Sequence, residues 1–345
     1  MPPRSRDDRR GRAGGGILSV SGDPVLVTGA GGFIGSHLCE QLVRRGASVR
    51  ALVRYTSRRD EGNLAQLAGD VRHAIDVRFG DVRDGDFATR LVARTDVVFH
   101  LAASISVPYS FVAPREVVMT NVEGTLNMLG AARDAGVTRM VQMSSSEVYG
   151  TAQYTPIDEL HPLDVQSPYA ASKVAADKLA DAFHLSFGVP VVVARPFNTY
   201  GPRQSLRAVI AAVIAQALAG GDLNLGALSP TRDFVFVTDT VAALIALADH
   251  DVAGGTYNIA TGTDVSVADI VTLVGQLLRR ELVVHTEEQR LRPERSEVHQ
   301  LLGDAGKLRA ATGWAPRTPL RDGLQAVIDW MSTASPDPRS GAYAI

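Results

Sequence analysis

The sequence predicts an α/β fold: a doubly wound parallel sheet joined to a smaller α/β lobe drawn from the C-terminal part of the chain. Three observations predict it. Short runs rich in Val, Leu and Phe alternate with longer segments of helical periodicity through the first two hundred residues, the pattern of a parallel sheet covered on both faces. A glycine-rich turn, Thr28-Gly29-Ala30-Gly31-Gly32-Phe33-Ile34-Gly35, joins the first run to the first helical segment and makes the sheet Rossmann-type. After Pro196 the texture changes to an alanine-rich helix followed by scattered short strands.

Taken in order, strands are expected at 25–28, 48–53, 77–81, 96–102, 139–143 and 189–194. Helices are expected at 35–45, 87–94, 122–135 and 170–187, where apolar residues recur at three- and four-residue spacing. Beyond Pro196 the expectations are a helix at 207–218, strands at 222–225 and 231–237, and a helix at 239–248. A strand at 257–259, a helix at 267–278 and a strand at 282–284 follow. The domain reading is a Rossmann domain over 23–200, rejoined by 231–250, with a substrate lobe from 201–230 and 251–335. Residues 1–22, with Arg4, Arg6, Arg9, Arg10 and Arg12, read as a disordered leader, and 336–345 as a tail.

Composition narrows the function. With 45% hydrophobic and 21% charged residues the chain is an ordinary globular protein. A net charge of −2 gives no field for nucleic acid or an anionic membrane. One cysteine, Cys39, fits a reducing compartment and excludes an internal disulfide framework. No apolar run reaches membrane length and no His/Cys spacing suits a metal, so a cytoplasmic protein without a metal is expected.

The glycine turn carries the first chemical signal. Gly29 allows a tight turn, Gly32 lets backbone approach a pyrophosphate, and Gly35 permits close helix–strand packing. Free N–H groups at Phe33 and Ile34 open the helix and attract the anion. An acidic residue about 20 positions on would select NAD. Arg54 stands there instead, with Arg58 and Arg59 following, so NAD and NADP both stay open. Asp81, ending the third strand, is placed to accept from an adenine amino group.

Redox and proton chemistry lie further along. Tyr169 and Lys173 are four residues apart and share a helix face. An ammonium beside the phenol is expected to lower its pKa and make it a base. Ser145 and Glu147, in Ser144-Ser145-Ser146-Glu147-Val148-Tyr149-Gly150 at the end of an apolar run, offer a hydroxyl and a carboxylate to the same site.

These residues resemble the extended short-chain dehydrogenase/reductases, the NAD-dependent nucleotide-sugar epimerase/dehydratase family. The resemblance rests on residues 28–35, 81–83, His100-Leu101-Ala102-Ala103, 121–125, 169–173 and Arg195-Pro196-Phe197-Asn198, and spans about 24 to 330. Longer strings, at 145–152, 156–159, 195–204, 207–210, 231–234 and 292–298, are most similar to UDP-N-acetylglucosamine 4,6-dehydratases of legionaminic acid pathways.

The resemblance implies a UDP-sugar substrate, a tightly held nicotinamide and a homodimer through helices near 121–135 and 170–187. It adds Val82, Leu101, Ala102, Ala103, Asn121 and Lys173 to the cofactor contacts. Ser104, Asn198, Arg207, Arg232 and Arg292 become candidates for sugar, nucleotide and pyrophosphate. It also implies that Tyr169 takes the 4-hydroxyl proton as the sugar is oxidised, that Ser145 steadies the C4 oxygen, and that Glu147 removes the C5 proton so that water leaves from C6. Glucose 4,6-dehydratases carry Asp-Glu where this chain has Ser146-Glu147, so Glu147 is expected to act as both base and acid. UDP-glucuronate decarboxylation, with Arg203 or Arg207 holding a carboxylate, and 4-epimerisation are the rival activities. A non-catalytic dinucleotide-binding regulator is the rival from another class.

Overall fold

The computed structural model describes residues 20, 22–287 and 298–333. Seven parallel strands form the large sheet: β1 (Pro24–Thr28), β2 (Ser48–Arg54), β3 (Asp76–Gly80), β4 (Val97–His100), β5 (Arg139–Met143), β6 (Val191–Pro196) and β10 (Thr256–Ile259), in the order β10-β6-β5-β4-β1-β2-β3. The order reverses between β1 and β4, so the loops leaving these strands diverge and open a crevice at their carboxyl ends.

The side-chain alternation of a strand divides the core in two. Val25, Val27, Val97, Phe99 and Val141 pack into one core with Leu38 and Leu42 of α1 (Phe33–Arg44). Leu26, Val98 and Met140 turn to the other face. There they meet Leu91 of α2 (Gly85–Val92), Met128 and Leu129 of α3 (Gly124–Ala135), and Ala180 of α4 (Pro168–Phe187). Every residue of β5 and β6 is buried, as a strand covered on both faces requires.

The smaller lobe starts with β7 (Asn198–Tyr200), α5 (Val209–Ala219) and β8 (Leu223–Leu225). Its sheet centres on β9 (Thr231–Phe236), parallel to β7 and to β13 (Gln300–Leu301) and antiparallel to β11 (Asp264–Ser266); β8 pairs with β12 (Val284–Thr286). The helices α6 (Val237–Asp249), α7 (Val267–Leu278), α8 (Gly306–Thr312) and α9 (Leu320–Thr333) complete the fold.

Two boundaries differ from expectation. Residues 256–259 were assigned to the smaller lobe, but β10 pairs with β6 and forms an edge of the large sheet. Of 231–250, only helix α6 returns to the large sheet, where Val241 and Leu244 join the core beneath β5 and β6; β9 belongs to the small sheet. Strands β7, β11 and β13, of two or three residues, are too short to leave a periodic signal. Residues 1–19 of the expected leader, the 336–345 tail and Arg292 lie outside the described residues. Among the described residues, no helix is long and apolar enough to cross a membrane.

Candidate active site

At the sheet's carboxyl edge, Gly29 has φ +68° and packs so closely on the next loop that a Cβ would lie 2.8 Å from backbone atoms of Leu101 and Ala102. At Gly35 a Cβ would run into the Gly29 carbonyl oxygen. Gly32 caps α1 without a side-chain hydrogen bond, so the positive end of the helix carries no capping side chain, and the N–H groups of Phe33 and Ile34 open it. A glycine-only turn before an uncapped helix start fits a dinucleotide pyrophosphate.

The 101–104 loop beside this turn is fixed from below. The Thr28 hydroxyl accepts from the N–H of Leu101 at 3.2 Å and of Ala102 at 3.1 Å, and lies 2.8 Å from His100 Nδ1. Burial, then the charge of Lys173, holds the His100 imidazole down at about 3, so it is neutral and structural. Ala103 follows in the same half-buried loop. Asn121, in one π-helical turn (Met119–Glu123), takes the Ser104 N–H at 2.7 Å and donates to the Ser104 carbonyl and the Ser172 hydroxyl. Its amide is engaged and only 2% exposed, so Asn121 shapes the site through Ser104 rather than by direct side-chain contact.

Two other expected cofactor residues are also committed. Arg54 has a side chain 64% exposed and an ion pair with Glu116 at 3.5 Å. Both oxygens of Asp81 accept from Arg83, whose guanidinium holds the carboxyl below its ordinary range against the effect of burial. Val82 is buried against Gly124, where a Cβ would strike it.

The catalytic candidates meet where β5 ends. Ser145 is extended and caps a single 3-10 turn (Ser146–Tyr149), accepting from the Glu147 N–H at 3.2 Å. Helix α4 begins beside it, started by Pro168 and by Ser167, whose hydroxyl accepts from the Ala170 N–H at 3.1 Å. That start places Tyr169 in the first turn, hydrogen-bonded by the Ser145 hydroxyl and within the field of the half-buried Glu147. Ser146 is buried inside the turn.

Lys173 does not lower the phenol as expected. Burial pushes Tyr169 up to about 12, with Ser145 pulling it down and Glu147 pushing it up. The Lys173 ammonium, 4% exposed, donates to the Met143 carbonyl at 2.8 Å; burial draws it down to about 8 against the pull of Asp177.

The smaller lobe supplies the remaining candidates. Asn198 starts β7 and pairs with Phe234 of β9. Arg232, 8% exposed, donates to the Thr231 carbonyl at 2.9 Å, and Arg207 is exposed just before α5. The neighbouring Asp233 carboxylate accepts from the N–H and hydroxyl of Thr261 and the N–H of Gly262. Arg203, with φ +68°, donates to Glu40 at 2.7 Å and to His37 Nδ1 at 2.8 Å, while the His37 Nε2 meets the Pro202 carbonyl. Arg203 therefore ties the loop after β7 to α1. His37 is part of that tie.

Sequence reasoning missed Asp177, Arg195 and Asn258. Asp177 lies one turn beyond Lys173 and pairs with Arg195 at 3.0 Å, both buried. The available signal was the i, i+4 step from Lys173 and the arginine that opens Arg195-Pro196-Phe197-Asn198.

A family profile described as GDP-mannose 4,6 dehydratase matches residues 26–327. The dTDP-glucose 4,6-dehydratase of Xanthomonas campestris pv. campestris (strain B100) is 34% identical over 331 residues, covering 89% of this chain and 93% of that protein. The structure of MoeE5 in complex with UDP-glucuronic acid and NAD superposes with a TM-score of 0.79 at 32% identity, covering 90% of this chain and 99% of that one. DesIV, a dTDP-glucose 4,6-dehydratase from Streptomyces venezuelae with NAD and TYD bound, gives a TM-score of 0.79 at 31% identity, covering 90% and 97%. With the glycine turn, the Tyr169/Lys173 pair and the Ser145–Glu147 turn in one crevice, the chain belongs to the GDP-mannose 4,6 dehydratase family, among the nucleotide-sugar dehydratases, epimerases and decarboxylases of the extended short-chain dehydrogenase/reductases.

Proposed function

We propose that the protein is an NAD-dependent nucleotide-sugar 4,6-dehydratase that converts UDP-N-acetylglucosamine to a UDP-4-keto-6-deoxy-hexosamine. One observation carries the reading: the single turn after β5 offers a hydroxyl and a carboxylate, Ser145 and Glu147, beside the start of α4, where the buried Tyr169 lies. Epimerisation at C4 has no use for a carboxylate placed there. Decarboxylation needs a cation for the C6 carboxylate; Arg203 is already bound to Glu40 and His37, and Arg207 is assigned in this reading to the pyrophosphate. The choice of UDP-N-acetylglucosamine rests on the longer strings, notably 145–152 and 195–204.

NAD is the dinucleotide we assign. Relatives hold it in their solved structures, and Arg54, the residue that argued for a 2′-phosphate, is exposed and paired with Glu116. When bound, the oxidised dinucleotide supplies positive charge beside the phenol and a reversible store for the electron pair that leaves C4 and returns at C6.

The protein's own residues do the rest. Tyr169 takes the proton of the sugar 4-hydroxyl at its phenol oxygen, and the Ser145 hydroxyl steadies the negative charge that develops there. Lys173 is anchored on the Met143 carbonyl at the end of β5. Glu147 removes the C5 proton made acidic by the new ketone and delivers it to the departing 6-hydroxyl, since Ser146 has no carboxylic proton to give; reprotonated from solvent, it then supplies a proton to C5. Arg207 and Arg232 hold the pyrophosphate, for which a guanidinium offers a bidentate fork. The working unit in this reading is a homodimer.

Incubation with a panel of UDP-sugars in deuterated water tests the assignment. UDP-N-acetylglucosamine should lose water and gain one deuterium. Carbon dioxide from UDP-glucuronate, or inverted C4 without a loss of mass, would replace this reading with a rival.

A further inference from the structure

The turn that carries Ser145 and Glu147 is bracketed by two residues tied to one buried ion pair. On its N-terminal side, the Ser144 hydroxyl donates to Asp177 Oδ2 at 2.9 Å. The same oxygen accepts from Arg195 Nε at 3.0 Å, and a second guanidinium nitrogen lies at 3.0 Å. On the C-terminal side, Arg195 Nη1 donates to the Tyr149 hydroxyl at 3.0 Å, and the Arg195 guanidinium lies over the Tyr149 ring. The Tyr149 hydroxyl in turn donates to Asn258 Oδ1 at 2.7 Å, and the Asn258 amide donates to the Ile157 carbonyl at 3.0 Å. Asp177, Tyr149 and Asn258 are each 1% exposed or less, and Arg195 is 4% exposed.

The chain of bonds joins four elements: the end of β5, helix α4, β6 and β10. Asp177 sits on the helix that also presents Tyr169 and Lys173, two turns and one turn earlier. The element holding the phenol is therefore also the element holding both ends of the turn opposite. A buried carboxylate and guanidinium with hydrogen bonds on both sides resist displacement, because removing one partner leaves the other charge buried and uncompensated.

We propose that Asp177, Arg195 and Tyr149 are positioning residues that set the distance between the Glu147–Ser145 turn and Tyr169, so that oxidation at C4 and elimination across C5/C6 act on one bound sugar. None of the three is required to touch the substrate. The proposal rests on the dehydratase reading for its kinetic consequence but not for the anchoring itself.

Tyr149→Phe is the sharpest variant, since it deletes the hydroxyl that links Arg195 to Asn258 and keeps the ring. Asp177→Asn, a harsher change, and Arg195→Lys, which keeps the charge without the fork, accompany it. Hydrogen exchange by mass spectrometry on the full-length protein reads the anchoring directly. In Tyr149→Phe the peptide containing 144–150 should exchange about tenfold faster while peptides of β5 and α4 hold their wild-type rates. Unchanged exchange at 144–150 in a folded Tyr149→Phe overturns the proposal, whatever the reaction proves to be.

The second readout is the steady-state absorbance of reduced nicotinamide during turnover of UDP-N-acetylglucosamine. A displaced Glu147 slows elimination more than oxidation, so kcat should fall by roughly 100-fold with KM little changed, and reduced cofactor should accumulate. A role in stability alone would lower the amount of active enzyme without altering that absorbance per active site, and this result also overturns the proposal. If exchange rises but the wild type removes water from no UDP-sugar, the dehydratase reading fails while the anchoring stands.

Discussion

Tyr169 is held protonated in this fold more firmly than its spacing from Lys173 suggests. Two groups that a sequence cannot weigh decide this: burial of the phenol and the negative charge of Glu147, both of which oppose the phenolate. The Ser145 hydroxyl works the other way, which makes it part of the base as well as a partner for the C4 oxygen. His100 shows the same dominance of burial and yields a prediction. Its folded pKa is about 3 against an ordinary 6.5. Between these values the unfolded chain binds a proton that the folded chain does not. Stability therefore rises with pH across the window and is lost as pH falls through it, by about 1.4 kcal/mol per unit. His100→Asn keeps a polar group near Thr28 and removes the titration. Comparing urea unfolding at about pH 7 and about pH 5, the loss on acidification should be about 2 kcal/mol smaller in the variant. Equal losses would mean that His100 is protonated in the native state.

Local features were legible in the sequence because local physics sets them. The glycine turn, the helix expected over 170–187 and the four-residue step from Tyr169 to Lys173 each depend on neighbours within a turn or two. What stayed hidden involves partners far apart in the chain. Arg195 and Asp177 are 18 residues apart and meet only because β6 lies beside α4; Arg203 reaches Glu40 across 163 positions. The pairing of β10 with β6 was unreadable for the same reason, since a four-residue strand carries no mark of the sheet it will join.

Helices also bear on assembly. Leu126 on α3, Val118 and Met119 just before it, and Leu185 and Phe187 on α4 are exposed apolar side chains. A contiguous exposed apolar surface marks an interaction face. We propose that these helices form the homodimer contact. Mass measurement at working concentration should give twice 36.7 kDa, and Leu126→Glu should shift it toward the monomer. A wild-type monomer would place the interface elsewhere or remove it.

Across the whole molecule, the crevice is built where the strand order reverses, and the two sheets contribute different parts of it. The large sheet supplies the glycine turn, the 101–104 loop and the Ser145–Glu147 turn. The small sheet brings Asn198 and Arg232 on adjacent strands. The Arg203 tie to α1 and the Asn63 side chain, which donates to the Arg203 carbonyl while its N–H meets Gly31, connect the two halves directly at the nucleotide turn. The arrangement suits a reaction in which dinucleotide and sugar remain side by side until the electron pair is returned.

Glu147→Gln examines that reaction at its decisive step. Mixed with UDP-N-acetylglucosamine, the NAD-loaded variant should reduce its nicotinamide at close to the wild-type rate and then stall, with formation of the 4-keto-6-deoxy sugar slowed roughly 10²–10⁴-fold. Formation of that sugar at the wild-type rate would contradict the account, because the carboxylate would then have no part in removing water.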